Sequence, residues 1–403
     1  MPYLPLRRDF FKATYIPHLP LDLDVLTMYI NHNIEAFYSL VRAGLWEKDV
    51  QLLKSENIDF KYIFQLAQEQ SVVGLVAAGL EHITDMRLPK DVSLSFAGEA
   101  LQLEQRNQAM NSFIEILFRK MQEAGISMVL VKGQGVAQCY ERPLWRECGD
   151  VDFLLDQENY RKALSYLKPI AERVEEEDEY CRHIGMTINS WVVELHGSLH
   201  TELSNKIDRQ LDGIQEIMFL NRDVRIWKDG DASVCLPSGN IDAIFIFTHF
   251  LKHFYKGGLG IRQICDWCRL LWSYSDSINV SLLKKRLSDM KLMTEWKAFA
   301  AYAVDYLGVS DTVMPLYDSS FRWKRKAYDI NNFILMSGNM GHNRDMSYFC
   351  KYPYIIRKLF SFGYRIGDTF RNSKLFPLDS FRFFFNISFH GVISTFKGNR
   401  FRR

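Results

Sequence analysis

Residues 126–155 read ISMVLVKGQGVAQCYERPLWRECGDVDFLL. The run 126–131 is short, apolar and rich in branched side chains, and it leaves directly into Lys132-Gly133-Gln134-Gly135. That combination predicts a buried strand entering a tight turn, with a short helix over 136–141. After Pro143, residues 150–155 form a second strand candidate that opens on Asp150 and Asp152. Side chains alternate along a strand, so these two aspartates share one face, with Cα atoms about 7 Å apart. A bare Asp-x-Asp is more often a half-exposed strand than a site, and its neighbours have to decide.

Working outward, the chain changes period on both sides of this stretch. From residue 20 to about 125, apolar residues recur at three and four, as in FKYIFQLAQEQSVVGLVAAGL (60–80), and a last helix over 94–123 runs up to Gly125 as its cap. Downstream, a helix over 158–167 precedes strands at 183–188 and 191–195, joined by the two-residue turn signal Asn189-Ser190. A weaker strand pair is expected over 224–236 around Asp229-Gly230. Helical spacing returns after Ser238 or Asn240, either of which can cap a helix through Phe254. Gly257-Gly258 then interrupts it before another helix over 261–272. The expected class is α+β, a small mixed-sheet core flanked by N-terminal and C-terminal helical segments. The boundaries read as 1–125 helical, 126–237 core, 238–350 helical and 351–403 a basic, aromatic extension.

Three features near the core add chemistry to the aspartate pair. Lys132 and the turn amides can hold phosphate, although a Lys-Gly turn alone is weak. Arg146 sits four residues before Asp150, within reach of the carboxylates or of a bound triphosphate. The later strand ends in Glu194-Leu195-His196, which puts Glu194 and His196 on one face and supplies a third carboxylate.

Taken in order, VKGQGVAQCYERPLWRECGDVDFLL and VVELHGSL resemble the nucleotidyltransferase superfamily whose fold is shared with polymerase beta. Within it they are most similar to an uncharacterised bacterial nucleotidyltransferase-like family. THFLKHFYKGGLGIRQICDW extends the likeness to about residues 40–275. The resemblance implies a nucleotidyltransferase core that moves an NMP group from an NTP to an unidentified hydroxyl acceptor with Mg²⁺ or Mn²⁺. It also implies roles. Asp150, Asp152 and Glu194 would be metal ligands and catalytic carboxylates, while Lys132, Gly133, Gln134, Arg146 and Gly149 would lie against the nucleotide. Gln134 departs from the wider superfamily, where a second Gly or a Ser usually follows the first glycine. A catalytically silent nucleotide- or partner-binding module with the same fold is the alternative.

His249 and His253 lie one helical turn apart, a spacing that suits either packing at the seam with the core, substrate contact or a transition metal. Lys252 and Lys256 could add phosphate contacts but read more simply as solvated lysines. Arg262 and Asp266 are placed to form a local ion pair. Cys265 and Cys268 have no second cysteine pair to complete a zinc site and read as buried thiols. The seven cysteines are otherwise scattered, and the first residues hold no apolar run that would serve as a signal peptide, so a reducing, cytoplasmic setting is expected. The longest apolar runs are too short to span a bilayer. The overall charge of +2 is uneven. Residues 351–403 hold eleven Lys and Arg against Asp368 and Asp379, which is +9 and leaves −7 for the rest. Such an end suits docking on an anionic partner, whether protein, RNA or a charged surface, or packing of its aromatics on the acidic body.

Overall fold

A computed structural model describes residues 23–52, 58–229, 232–339 and 354–396. Gly230, at the expected turn of the weaker strand pair, lies outside these residues, as do 397–403 of the basic end.

The N-terminal segment is helical as expected: α1 (Leu23–Trp46), α2 (Phe60–Glu69), α3 (Val73–Glu81) and the long α4 (Lys90–Glu123). Gly125 takes φ +68 after α4, and the amides of Gly125 and Ile126 donate back to Gln122 O and Met121 O, a glycine stop for the helix. The following strand, β1 (Val129–Val131), is shorter than expected. The amide of Ile126 is spent on that cap, and the amide of Ser127 donates to Asn159 Oδ1 at 2.8 Å, so neither can join a ladder.

Next come α5 (Gly133–Ala137), β2 (Asp150–Leu154), α6 (Gln157–Leu167), β3 (Arg173–Val174), β4 (His183–Ile188), β5 (Trp191–His196), α7 (Asn205–Asn221), β6 (Val224–Asp229) and β7 (Ala232–Pro237). The short helix begins earlier than the sequence suggests, because the turn at 132–133 already closes it. β3 and α7 were not expected. The main sheet runs β1-β2-β5-β4-β3, with β2 and β5 parallel and its other neighbours antiparallel, and β6-β7 form a separate hairpin. Asn189 and Ser190, both at positive φ, make the two-residue turn that matches the twist of β4 and β5.

One face of the main sheet is apolar. Leu130, Val151, Phe153, Ile184, Met186, Val193 and Leu195 pack there with Met110, Phe113, Ile114 and Leu117 of α4 and with Tyr160, Ala163 and Leu167 of α6. The other face carries Asp150, Asp152, Glu194, His196 and His183 in adjacent register positions. It is covered by the C-terminal helices α8 (Gly239–Lys256) and α9 (Ile261–Ser273), followed by α10 (Val280–Met290), α11 (Met293–Leu307) and α12 (Phe321–Ser337). These share a core with α1 to α3, bridged for example by Tyr38 and Tyr302 hydroxyls at 2.9 Å.

The basic end forms two helices, α13 (Tyr354–Ser373) and α14 (Pro377–Phe396), which pack on one another and on α8. Phe376 and Phe383 are buried against Tyr255. Phe370, Phe385 and Phe389 remain exposed, so packing on the body accounts for only part of these aromatics. No helix among the described residues is long and apolar enough to cross a membrane.

Candidate functional site

The polar sheet face and the covering helices enclose a cavity of about 260 Å³. Its floor is β2 and β5. Because the two strands are parallel with Asp152 opposite Glu194, the three carboxylates of Asp150, Asp152 and Glu194 converge, each offering an oxygen within 4.8 Å of the others. Asp152 is almost fully buried; Asp150 and Glu194 are partly open.

Lys132 reaches the same point, with Nζ 2.7 Å from Asp152 Oδ1. Its backbone is unusual: φ +56 and ψ −146 on a side-chain-bearing residue, a conformation that costs about 1–3 kcal/mol. The strain turns the chain sharply from β1 into α5 and aims the ammonium at the carboxylates. Gly133 completes the turn at φ +39, and a Cβ there would lie 3.2 Å from Cys148 Sγ beside the start of β2. Only glycine combines that φ with that approach.

The electrostatics follow from this crowding. The Asp150 carboxyl is pushed up, first by the neighbouring Asp152 charge and then by burial, with Lys132 opposing. Burial would also raise Glu194, but hydrogen bonds from His183 and His196 and the charge of Lys132 outweigh it and hold that carboxyl well below the usual range. His196 Nε2 lies 2.7 Å from Asp152 Oδ1, and His183 Nε2 lies 3.0 Å from Glu194 Oε2.

Across the cavity, α8 presents His249 and His253, whose Nε2 atoms are 3.0 Å apart. Burial and then the charge of Lys132 hold His249 well below its ordinary value; burial and then Lys252 push His253 down to about 3. Both imidazoles are therefore neutral hydrogen-bonding groups at physiological pH. Lys252 also lines the cavity, whereas Lys256 is not the solvated lysine expected, being paired with Glu202.

The structure brings Lys132, Gly133, Arg146, Asp150, Asp152, Glu194, His196, His249 and His253 into this one cavity. Two of the residues expected against the nucleotide, Gln134 and Gly149, do not line this cavity. Gln134 is buried, its side chain donating to Asn107 Oδ1 at 2.7 Å, while Asn107 in turn holds the carbonyls of Leu144 and Arg146. Its role is to clamp the loop that carries Arg146. Gly149 is exposed, and a Cβ there would meet nothing within 4 Å, so no protein contact demands a glycine.

Arg146 takes the partner expected for Arg262. Its Nε and Nη2 grip the two oxygens of Asp266 on α9 at 3.1 and 2.6 Å, a bidentate pair completed by the Tyr140 hydroxyl at 2.8 Å. A buried fork outcompetes the one-turn Arg262–Asp266 pair because it satisfies both carboxylate oxygens. Arg262 instead donates to Glu147 O at 2.7 Å. One nitrogen on each, Nη1 of Arg146 and Nε of Arg262, is buried without a protein partner, and both residues line the cavity. His183, Arg262 and Asp266 are therefore part of the site although the sequence reading gave them no such role. Cys265 and Cys268 are buried thiols, as expected, and no disulfide links the six free cysteines of the described residues.

Comparison with known families agrees with the constellation. Residues 56–308, well over half of the chain, match a family described as uncharacterised nucleotidyltransferase. Neither the curated proteins nor the solved structures contained a match. The order of motifs in the cavity and the length of that match lead to one assignment: the chain belongs to this uncharacterised nucleotidyltransferase family.

Proposed function

We propose that the protein is a divalent-metal-dependent nucleotidyltransferase that moves an NMP group from an NTP to a hydroxyl acceptor. The observation that carries this reading is the convergence of Asp150, Asp152 and Glu194 within 4.8 Å beneath a cavity walled by Lys132, Arg146 and Arg262. An all-oxygen donor set of that charge fits Mg²⁺ or Mn²⁺, which take a few carboxylates and keep positions for phosphate oxygens. When bound, such a cation would neutralise charge on the triphosphate and on the pyrophosphate that leaves.

The side chains divide the remaining work. The three carboxylates hold the cation. The unpartnered Arg146 Nη1 and Arg262 Nε supply donors for phosphate, and Asp266 keeps the Arg146 fork rigid so that only one direction of donation is left. Lys132 adds a point charge beside the same group. Glu194, held well below the usual carboxylate range by its two histidines, is a weak proton acceptor, so it orients the attacking hydroxyl rather than storing its proton. Neutral His249 and His253 offer a hydrogen-bonding wall for the acceptor.

A catalytically silent nucleotide-binding module is the second reading. The Lys132 ammonium, 2.7 Å from Asp152 Oδ1, favours it because a side-chain cation already balances part of the carboxylate charge. Incubation with each α-labelled NTP, Mg²⁺ or Mn²⁺ and a cell extract separates the two. Transfer predicts a labelled acceptor and released pyrophosphate, both lost in Asp150→Ala. Tight NTP binding that ignores divalent cations and ignores Asp150→Ala would overturn the enzymatic reading.

A further inference from the structure

Five of the ten histidines line the cavity: His183, His196, His200, His249 and His253. An oxygen-ligated Mg²⁺ position needs none of them. His200 is occupied by Tyr180 O at 3.0 Å and Asp212 Oδ1 at 2.8 Å. His249 and His253 are occupied with each other. His183 and His196 are different, because both Nε2 atoms face the carboxylates of the cavity floor: His183 lies 3.0 Å from Glu194 Oε2, and His196 lies 2.7 Å from Asp152 Oδ1 and 3.5 Å from the same Glu194 oxygen.

We propose that His183, Glu194 and His196 form a nitrogen-bearing position for a first-row transition-metal ion, beside the all-oxygen position of Asp150 and Asp152, with Glu194 belonging to both. Their three donor atoms lie within 4.8 Å of one another. The hairpin makes the arrangement rigid: His183 and His196 are directly paired residues of β4 and β5, with ring centroids 4.7 Å apart. Two-residue turns hold such pairs in register, so the imidazoles need little rearrangement to share a cation. Their side chains are 30% and 16% exposed, enough for an ion to enter from the cavity.

Ligand chemistry sets the preference. Imidazole is a borderline donor that favours Co²⁺, Ni²⁺ and Zn²⁺ over Mg²⁺, whereas carboxylates alone favour Mg²⁺ and Mn²⁺. The two positions therefore differ in the metal they select, and their separation by a shared carboxylate is the arrangement of two-metal phosphoryl-transfer sites. The catalytic meaning of this position rests on the nucleotidyl-transfer reading, but the binding does not.

The test uses the full-length protein, stripped with a chelator and titrated with Co²⁺ without nucleotide. Binding is followed by visible absorption and by calorimetry against excess Mg²⁺. The expected result is Co²⁺ bound about ten-fold or more tightly than Mg²⁺, with the intense absorption of a low-coordinate, nitrogen-ligated ion. His183→Gln and His196→Gln should each weaken Co²⁺ by about ten-fold or more, since losing a ligand costs at least as much as losing a group that only orients one. Asp150→Asn should keep the absorption, and circular dichroism confirms that each variant is folded. Weak, six-coordinate Co²⁺ in the wild-type protein, or a spectrum indifferent to both histidines, overturns the proposal. Histidine-dependent Co²⁺ binding without any NTP turnover would support this site while sinking the transferase reading. Mg²⁺-dependent transfer alongside a histidine-independent Co²⁺ spectrum would do the reverse.

Discussion

Replacing Asp150 by asparagine should stabilise the metal-free protein while abolishing its response to Mg²⁺. Asp150 has carboxylate oxygens of Asp152 and Glu194 within 4.8 Å. At that spacing, and with the effective dielectric of about 20 that suits protein sites, each like-charge pair costs about 3.5 kcal/mol. Lys132 offsets roughly one of the two, consistent with a carboxyl that stays shifted upward despite the ammonium. Asparagine keeps the shape and removes the charge, so a gain of roughly 1–3 kcal/mol, or a few degrees in melting temperature, is expected without metal. Melting curves in EDTA and in Mg²⁺ read both halves. Wild-type protein should rise with Mg²⁺ by mass action, and Asp150→Asn should start higher and stay level. A variant that melts below wild type in EDTA, or a wild type indifferent to every divalent cation, would refute the reasoning.

Breaking the Arg146–Asp266 pair with Asp266→Ala should cost about 3–5 kcal/mol in denaturant unfolding, because it strands a buried guanidinium; an apolar replacement of both partners should recover most of it. Gln134→Ala should lose about 1–3 kcal/mol through the Asn107 clamp, with NTP affinity measured by calorimetry unchanged relative to the folded fraction. A selective loss of affinity would instead assign Gln134 a direct phosphate contact. Stability should also fall as pH rises from 4.5 to about 8 because of Glu295, which burial and then the Asp379 charge push up to about 8. Between its ordinary 4.5 and about 8 the folded state holds a proton that the unfolded chain releases. Its contribution is thus complete at low pH and lost as pH climbs through the folded value. Unfolding free energies from urea titrations across that range should decline by a few kcal/mol in wild type and flatten in Glu295→Gln.

Much of this site was legible because strand geometry is arithmetic. Alternation alone puts Asp150 with Asp152 and Glu194 with His196, and the Asn189-Ser190 turn fixes which residues face each other across β4 and β5. That same turn makes 183 and 196 partners, so His183 was within reach once HIGMTI was read for its polar face as well as its apolar one. α7 was legible in the same way, since Ile207, Leu211, Ile214 and Met218 fall at helical spacing after the capping Ser204. The partner of Asp266 was not. Local spacing offers Arg262 one turn away, whereas the winner lies 120 residues off and is decided by the bidentate fit of a buried fork. Nor does any residue pattern announce that Lys132 adopts positive φ, because ordinary propensity argues against it.

The charge distribution ties the elements of the cavity together. Three carboxylates on the sheet face one lysine, while the histidines of α8 are kept neutral by burial and by that lysine rather than recruited as counter-ions. A protonated His249 or His253 would have relieved the repulsion at Asp150 and lowered the pull on an incoming cation. Keeping them neutral leaves the excess negative charge on the strands, where the donor atoms already converge. The same imbalance that should make the metal-free protein less stable than its asparagine variant is therefore what draws a divalent cation to that point.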